Sequence, residues 1–459
     1  MCSRLSKLLI SGSVILVLMV VAGLIVLPVG KSSSLSLISI EKSLAFVAHD
    51  PIHIDGNLDF LAHASMEVWE GNGTLESPIV ISGYSFSAAD QMLRIENSNL
   101  HFRFVDNQLD GLSWLWCGIA VLNSANGVIE NNHVRRAAAG IHVVAVENMT
   151  IRGNDVQDSS FGGIIVEDGS RNVDVVGNIV YNNNDYGIHI GNPYGSSMSC
   201  NIRIRDNIVH DNSPSGIRLL EADNCVLSNN TVLGNILDGI VVESGMHLIQ
   251  ENIIEDCRMG IQVSIGNCSI IGNVVMSVEC GLSIGTANNT IVGNKLCHNE
   301  RSGIRFYHST LTGPSGSENL VIDNTIGNNS KWGVEFTSLT SNNIVRNNDF
   351  LLNGNDGQAY DDGESNLFRE NYWDDWTEPD GDSDGFVDRP YGINGTAENS
   401  DLTPLMVPVN SLPSWYAYTT TPTTLPTNGL PLEIGPYLIA AIIGGAVIMV
   451  SSVVVLKKK

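Results

Sequence analysis

Residues 97–373 predict an all-β fold, a right-handed parallel β-helix of about 11–12 coils, because stacked repeats of this length share one core. Three observations carry the prediction. A Gly followed by an apolar residue recurs at Gly118, Gly140, Gly163, Gly187, Gly216, Gly239, Gly260, Gly281, Gly303 and Gly333, in steps of 22, 23, 24, 29, 23, 21, 21, 22 and 30. Out of phase with it, an Asn between apolar positions recurs at Asn107, Asn132, Asn154, Asn178, Asn207, Asn230, Asn252, Asn273, Asn294, Asn324, Asn348 and Asn371. Between the marks lie short alternating Val/Ile-rich runs such as Gly140-Ile-His-Val-Val, with no helix-period stretch.

A period in the low twenties fits leucine-rich horseshoes or parallel β-helices. The Leu-x-x-Leu-x-Leu pattern of the former is missing. Strands stacked at about 4.8 Å then bury Ile and Val in a core that no single coil could close. A repeated Asn inside a corner can bond the same amide and the backbone above and below it, giving a ladder. Gly before each apolar residue supplies a tight, Cβ-free corner. Right-handedness follows the general preference of parallel crossovers.

The ends differ from the middle. Leu8–Leu27 is an apolar run behind Arg4 and Lys7, so residues 1–30 read as a signal peptide or signal anchor helix. Tyr437–Leu456 is a second apolar run, closed by Lys457, Lys458 and Lys459. It is long enough for a membrane helix with a cytoplasmic basic tail, assigned to 436–459. Residues 408–435 are rich in Thr and Pro and read as a stalk. Residues 44–96 form an N-terminal cap region and 374–407 an acidic C-terminal cap. The whole places the folded part at the cell surface, anchored in the plasma membrane.

The net charge is −25, with 24 Lys+Arg. An acidic chain argues against nucleic acid, whose phosphates need a basic face. Eight Cys without a Cys-x-x-Cys read as small buried thiols, with one or two disulfides open outside a cell. Seven Asn-x-Ser/Thr triplets, beginning at Asn72, Asn148, Asn229, Asn267, Asn288, Asn328 and Asn394, permit glycosylation.

Two motifs flank the coils: Pro51-Ile-His-Ile-Asp-Gly with Gly71-Asn-Gly-Thr-Leu-Glu-Ser-Pro-Ile-Val-Ile-Ser-Gly-Tyr84, and Asn371-Tyr-Trp-Asp-Asp-Trp followed by an acidic Gly-containing run to Tyr391. With the coils, residues 50–407 resemble the NosD-like β-helix group, of carbohydrate-binding and sugar-hydrolase type, in its archaeal cell-surface form. The resemblance implies a β-helix and, as partners, a polysaccharide or glycoprotein of the cell envelope. It says little about chemistry, because one fold hosts many functions.

Two places could hold function. Asp380, Asp382, Asp384 and Asp388, with Gly385 at the sixth position and the Phe386 carbonyl at the seventh, match the start of a Ca2+ loop that would lock the cap. Tyr391 stands where the usual bidentate Glu would be. The second and fourth residues after each Gly point outward. They form a stripe of His142, Glu167, His189, Arg218, Glu243, Gln262, Arg305, Tyr307 and Glu335. Insertions near 192–200 and 309–318 would wall it into a trough suited to an oligosaccharide.

Within the trough, His189, Arg218, Arg305 and Tyr307 could supply a lyase- or epimerase-like set. The Asn-Thr-Asp, Asp-Asp and Gly-His-Gly series of pectin hydrolases is absent, as is the Asp-Pro-His of alginate epimerases; Asp185-Tyr-Gly-Ile-His189 matches the latter only in part. Copper is not expected, since His142 and His189 are separated by Ile165 and no His-x-His occurs on one strand. The sequence therefore favours a non-catalytic binder of glycans or envelope components over a membrane-tethered polysaccharide lyase or epimerase, or a surface-layer spacer.

Overall fold

The computed structural model describes residues 46–192, 194–195, 197–308, 316–354, 357–414, 416, 440–443 and 446–449. Each coil gives one short strand to each of three parallel sheets; Asp155–Gln157, Gly162–Glu167 and Arg171–Val176 are one such set. The first sheet has 14 strands, from Val47–His49 to Tyr372–Trp373, and the second has 13, from Ile52–Asp55 to Ala359–Asp361. The third runs from Ile79–Ser82 to Leu367–Arg369 and ends on Ser400–Asp401. This is the all-β, right-handed parallel β-helix of about 12 turns.

Winding begins before the repeat marks. Val47–His49, Ile52–Asp55 and Ile79–Ser82 already pair in parallel with Tyr84–Ala88, Leu93–Glu96 and Phe102–Val105. Helix α1 (Asn57–Met66) turns Phe60 and Ala64 into the core. The Phe60 ring lies 5.7 Å from Phe102 and 6.4 Å from Trp69.

The core is a column of Ile, Val, Leu and Phe, one layer per coil, with Ile141, Ile164, Ile188, Ile217, Ile240 and Ile261 all fully buried in register. The twelve ladder Asn form as expected. Asn252 Nδ2 donates to Asn273 Oδ1 and to the Leu227 carbonyl, while its own Oδ1 accepts from the backbone N–H and Nδ2 of Asn230. The residue before each ladder Asn, from Asp106 to Glu370, has positive φ. That backbone suits the Asn, Asp and Gly that fill most of these places and strains Glu251 and Glu370.

The repeated Gly has a different reason from a special φ. A Cβ on Gly239 would lie 2.5 Å from Ile254 Cγ2 and 2.8 Å from the Gly260 carbonyl oxygen. Gly is required because the corner is full.

Two further ladders run along the other corners. One contains Asn183, Asn212 and Asn235, then Asn299, Asn329 and Asn353, and ends on Gln358. The other contains Asn289, Asn319, Asn343 and Asn366, and ends on Asp361. Cys257 stands in the first of these stacks, accepting from Asn235, and Cys268 donates its backbone N–H to Asn289 in the second. All seven cysteines among the described residues are free, and five are buried. No disulfide forms among them.

At the C-terminal end Trp373 stacks between Phe350 at 4.3 Å and Tyr391 at 4.1 Å. Asp401 Oδ2 receives Asn371 and the Trp373 indole N–H, closing the main ladder. The first residues of the expected stalk are pinned back: the Val409 and Asn410 backbone N–H groups donate to Asp349.

The expected segment 1–30 lies outside the described residues, as does most of 417–459. Within the expected membrane helix, Ala440–Ile443 and Ala446–Met449 instead pair as an antiparallel ribbon. Val- and Ile-rich runs either side of Gly444-Gly445 have strand and hairpin propensity as well as apolar length. No helix among the described residues is long and apolar enough to cross a membrane.

Candidate functional site: the outer face of the second sheet

Strand alternation sends the residue after each Gly inward and the next one outward. Register then sets one outward column: Arg94, Ala120, His142, Ile165, His189, Arg218, Val241, Gln262, Ser283, Arg305, Glu335 and Tyr360. Glu167 and Glu243 lie two residues further along their strands, beside it. Ile165 separates His142 from His189, which leaves no paired imidazoles for copper.

The column is more recessed than a solvated strand face. The Glu335 side chain is 8% exposed and Arg218 21%. Long side chains in register lie against each other along the face, and Trp332 stacked on Tyr360 at 5.1 Å covers its C-terminal end.

The column resolves into three groups. In the first, His142 Nε2 meets Glu167 Oε1 at 2.5 Å and its Nδ1 faces Cys117 Sγ at 3.6 Å. Burial opposes charge on His142, but the Cys117 sulfur and the Glu167 carboxylate outweigh it and push its pKa up to about 9.

In the second group Arg218 Nε donates to Glu243 Oε2 at 2.6 Å, and its guanidinium lies 4.8 Å over the Tyr186 ring. Tyr186 is tilted against His189, centroids 5.1 Å apart. Burial, and then the Arg218 charge, push His189 down to about 4, so it is neutral at pH 7. Its Nδ1 is buried with no hydrogen-bond partner in the structure. Burial raises the Asp185 carboxyl above its usual range, although the Tyr186 backbone and Arg218 act against this. One coil on, Arg258 pairs with buried Asp238 at 3.0 Å.

In the third group Glu335 accepts from Ser302 Oγ at 2.8 Å and faces Arg305 Nε at 3.6 Å and Lys331 Nζ at 4.0 Å. Arg305 lies 6.0 Å from the Tyr307 centroid. Gln262 stands in the column between the second and third groups.

His189 and Arg218 thus come together, as do Arg305 and Tyr307. The two pairs are four strand spacings apart, roughly 19 Å. They are not one constellation. The sequence reading also missed Tyr186, because it lies just before Gly187 and outside the outward positions counted from it. Cys117, in the same position before Gly118, was missed for the same reason. Of the inserted walls, residues 193, 196 and 309–315 lie outside the described residues.

The acidic loop brings Asp380, Asp382 and Asp384 together, with one oxygen of each within 4.8 Å of the others. Gly385 takes the bend at φ 95°. The Asp384 N–H donates to Asp380 and Asp382, and Gly385 N–H to Asp380. Asp388 turns away to accept from the Gly381 N–H at 2.9 Å. Phe386 is held by an antiparallel bridge to Leu405.

Comparison with known proteins adds the following. The family model of the right handed beta helix region matches residues 89–235 and 215–373. No curated protein matches the sequence. Among solved structures, a periplasmic alginate epimerase, AlgG, aligns with TM-score 0.49 and 15% identity over 64% of this chain and 85% of that one. The catalytic unit of a thermostable α-1,3-glucanase from Streptomyces thermodiastaticus aligns with TM-score 0.48 and 13% identity, over 71% and 66%. The Dettilon tailspike protein gives 0.46 and 13%, over 68% and 67%.

Proposed function

We propose that this chain, which belongs to the right-handed β-helix family, binds an extended glycan or glycoprotein of the cell envelope along the outer face of its second sheet. The supporting observation is the cluster of Tyr186, His189, Arg218 and Glu243 in that column. An aromatic ring, a guanidinium and a carboxylate together offer both a stacking surface and directional polar groups. That combination suits a sugar more than a flat apolar partner. Glu167, Glu243 and Glu335 are each engaged with a cation or hydroxyl, so no stripe carboxylate is free to act as a glycosidase acid.

We read the protein as a binder of the NosD-like, archaeal surface type, on the motifs beginning at Gly71 and Asn371. The apolar 437–456 run with its Lys tail would hold it at the plasma membrane. We also propose that Asp380, Asp382 and Asp384, with the Phe386 carbonyl, hold a structural Ca2+; Asp388 would reach it through water or by leaving Gly381.

A second reading, uronate lyase or epimerase, is favoured by one point: neutral His189 sits beside Arg218 and Tyr186, a base next to a cation and a phenol. A glycan array probed with the full chain tests both. Retention of acidic or neutral glycans, lost in Arg218→Ala and Tyr186→Ala, supports binding; silence across the array contradicts it. Appearance of unsaturated uronate absorbance during incubation would select the lyase.

A further inference from the structure

Seven residues ahead of the first repeated Gly, the chain leaves the first sheet after Gly111 and crosses to the second through Leu112-Ser-Trp-Leu-Trp-Cys117. This loop carries exposed large apolar side chains: Trp114 is 74% exposed, Leu115 80% and Trp116 45%. Cys117 follows them, half-buried, unlike the fully buried Cys225, Cys257, Cys268, Cys280 and Cys297. Its surroundings come from three other coils. Arg94 lies in the preceding coil, where it donates to Glu96 and Gln91. His142 lies in the next coil and Glu167 in the one after. Register places Arg94 and His142 either side of Ala120.

The imidazole is used from both sides. Nδ1 faces the Cys117 sulfur, and Nε2 is held by a carboxylate. Because the two nitrogens point to different partners, the three residues do not converge on one point as metal ligands would. They line up as nucleophile, base and orienting acid, the general logic of an activated thiol.

We propose that Cys117, His142 and Glu167 form a nucleophilic thiol site that takes an acyl ester, with the partly exposed Trp116 next to the nucleophile in the chain. With the Cys117 proton resting on His142, the sulfur attacks the ester carbonyl carbon. The C–O bond breaks, a thioester forms, and the departing alcohol receives the proton from His142. Water then attacks the thioester with His142 as base, the C–S bond breaks, and a carboxylic acid leaves with the thiol restored. Ester and water become acid and alcohol, with no other reactant.

The site shares one sheet face with the glycan reading but does not rest on it. Iodoacetamide alkylation of the full chain at pH 6, located by peptide mass, tests the thiol. Cys117 should react about tenfold or more faster than in His142→Gln, with Glu167→Gln intermediate. An ester probe, p-nitrophenyl acetate, should leave an acetyl group on Cys117 that Cys117→Ser does not acquire. Arg218→Ala should change neither result, which separates this site from the glycan face. Circular dichroism melting of each variant checks the fold, and Cys117→Ala, which keeps His142 and Glu167, gives a second control. The proposal is overturned if Cys117 alkylates in the folded wild-type chain as slowly as a free thiol, or if folded His142→Gln reacts at the wild-type rate. Fast alkylation with no acetyl transfer would overturn the ester assignment.

Discussion

The corner that carries Asn107 to Asn371 and the outer face of the second sheet are built from the same coils, yet they are opposite in kind. The corner holds one residue type in every coil, buried, with each amide satisfied by its neighbours. The face changes residue at nearly every coil and leaves groups such as His189 Nδ1 without a partner. Repetition marks what the fold needs to stack; variation with unmet polar groups marks where something else can bind. A substitution in the corner should therefore cost stability and spare binding in the remaining coils, while one on the face should do the reverse.

The largest effect is expected inside the ladder. Asn252→Leu strands the Asn230 backbone N–H and amide and the Leu227 carbonyl, and should cost about 3 kcal/mol by urea denaturation. A change below about 0.5 kcal/mol would mean that the ladder is ornamental. Gly239→Ala comes next, at about 2 kcal/mol, because Ile254 and the Gly260 carbonyl must move.

On the face, His142→Gln should cost about 1 kcal/mol at neutral pH, from a charged hydrogen bond that is partly exposed. Its sign with pH is specific. The folded pKa of about 9 lies above the unfolded value of about 6.5. The stabilisation is thus full below pH 6.5 and is lost as pH rises through about 9. His189 and buried His247 act the other way. Burial holds both at about 4, so their contribution is lost as pH falls from about 6.5 through about 4. Melting across pH 4–10 should show the alkaline loss in wild type and not in His142→Gln.

Smaller still is the effect of calcium at the exposed 380–388 loop: chelator should lower the melting temperature by about 1 °C or less, since one loop is released from the cap. An unchanged temperature removes the metal. Arg218→Ala should shift stability least, by about 1 kcal/mol or less, because Glu243, 35% exposed, can be hydrated once its partner is gone.

The sequence revealed the repeats for a physical reason. The main ladder needs an amide that both donates and accepts in every coil, so the same letter recurs and can be counted. One of the other corners admits Ser159, Cys257 and Val278 among its Asn and the other admits Cys268, so their ladders do not stand out as a period. The outward stripe was legible because alternation fixes direction. What alternation could not show is which outward residues touch: Glu167 turns back to His142, Arg305 lies far from His189, and Tyr186 and Cys117 stand just before the repeated Gly, outside the outward positions counted from it. The final anchoring segment was read from its apolar length and Lys tail, and strand propensity in the same residues competes with it.

The most direct test of the contrast between corner and face is one glycan-array measurement on three forms of the full chain: wild type, Arg218→Ala and Asn252→Leu, each below its melting temperature. The account predicts a retained glycan for wild type and Asn252→Leu and its loss in Arg218→Ala. Binding that survives Arg218→Ala, or no binding by wild type, would contradict it.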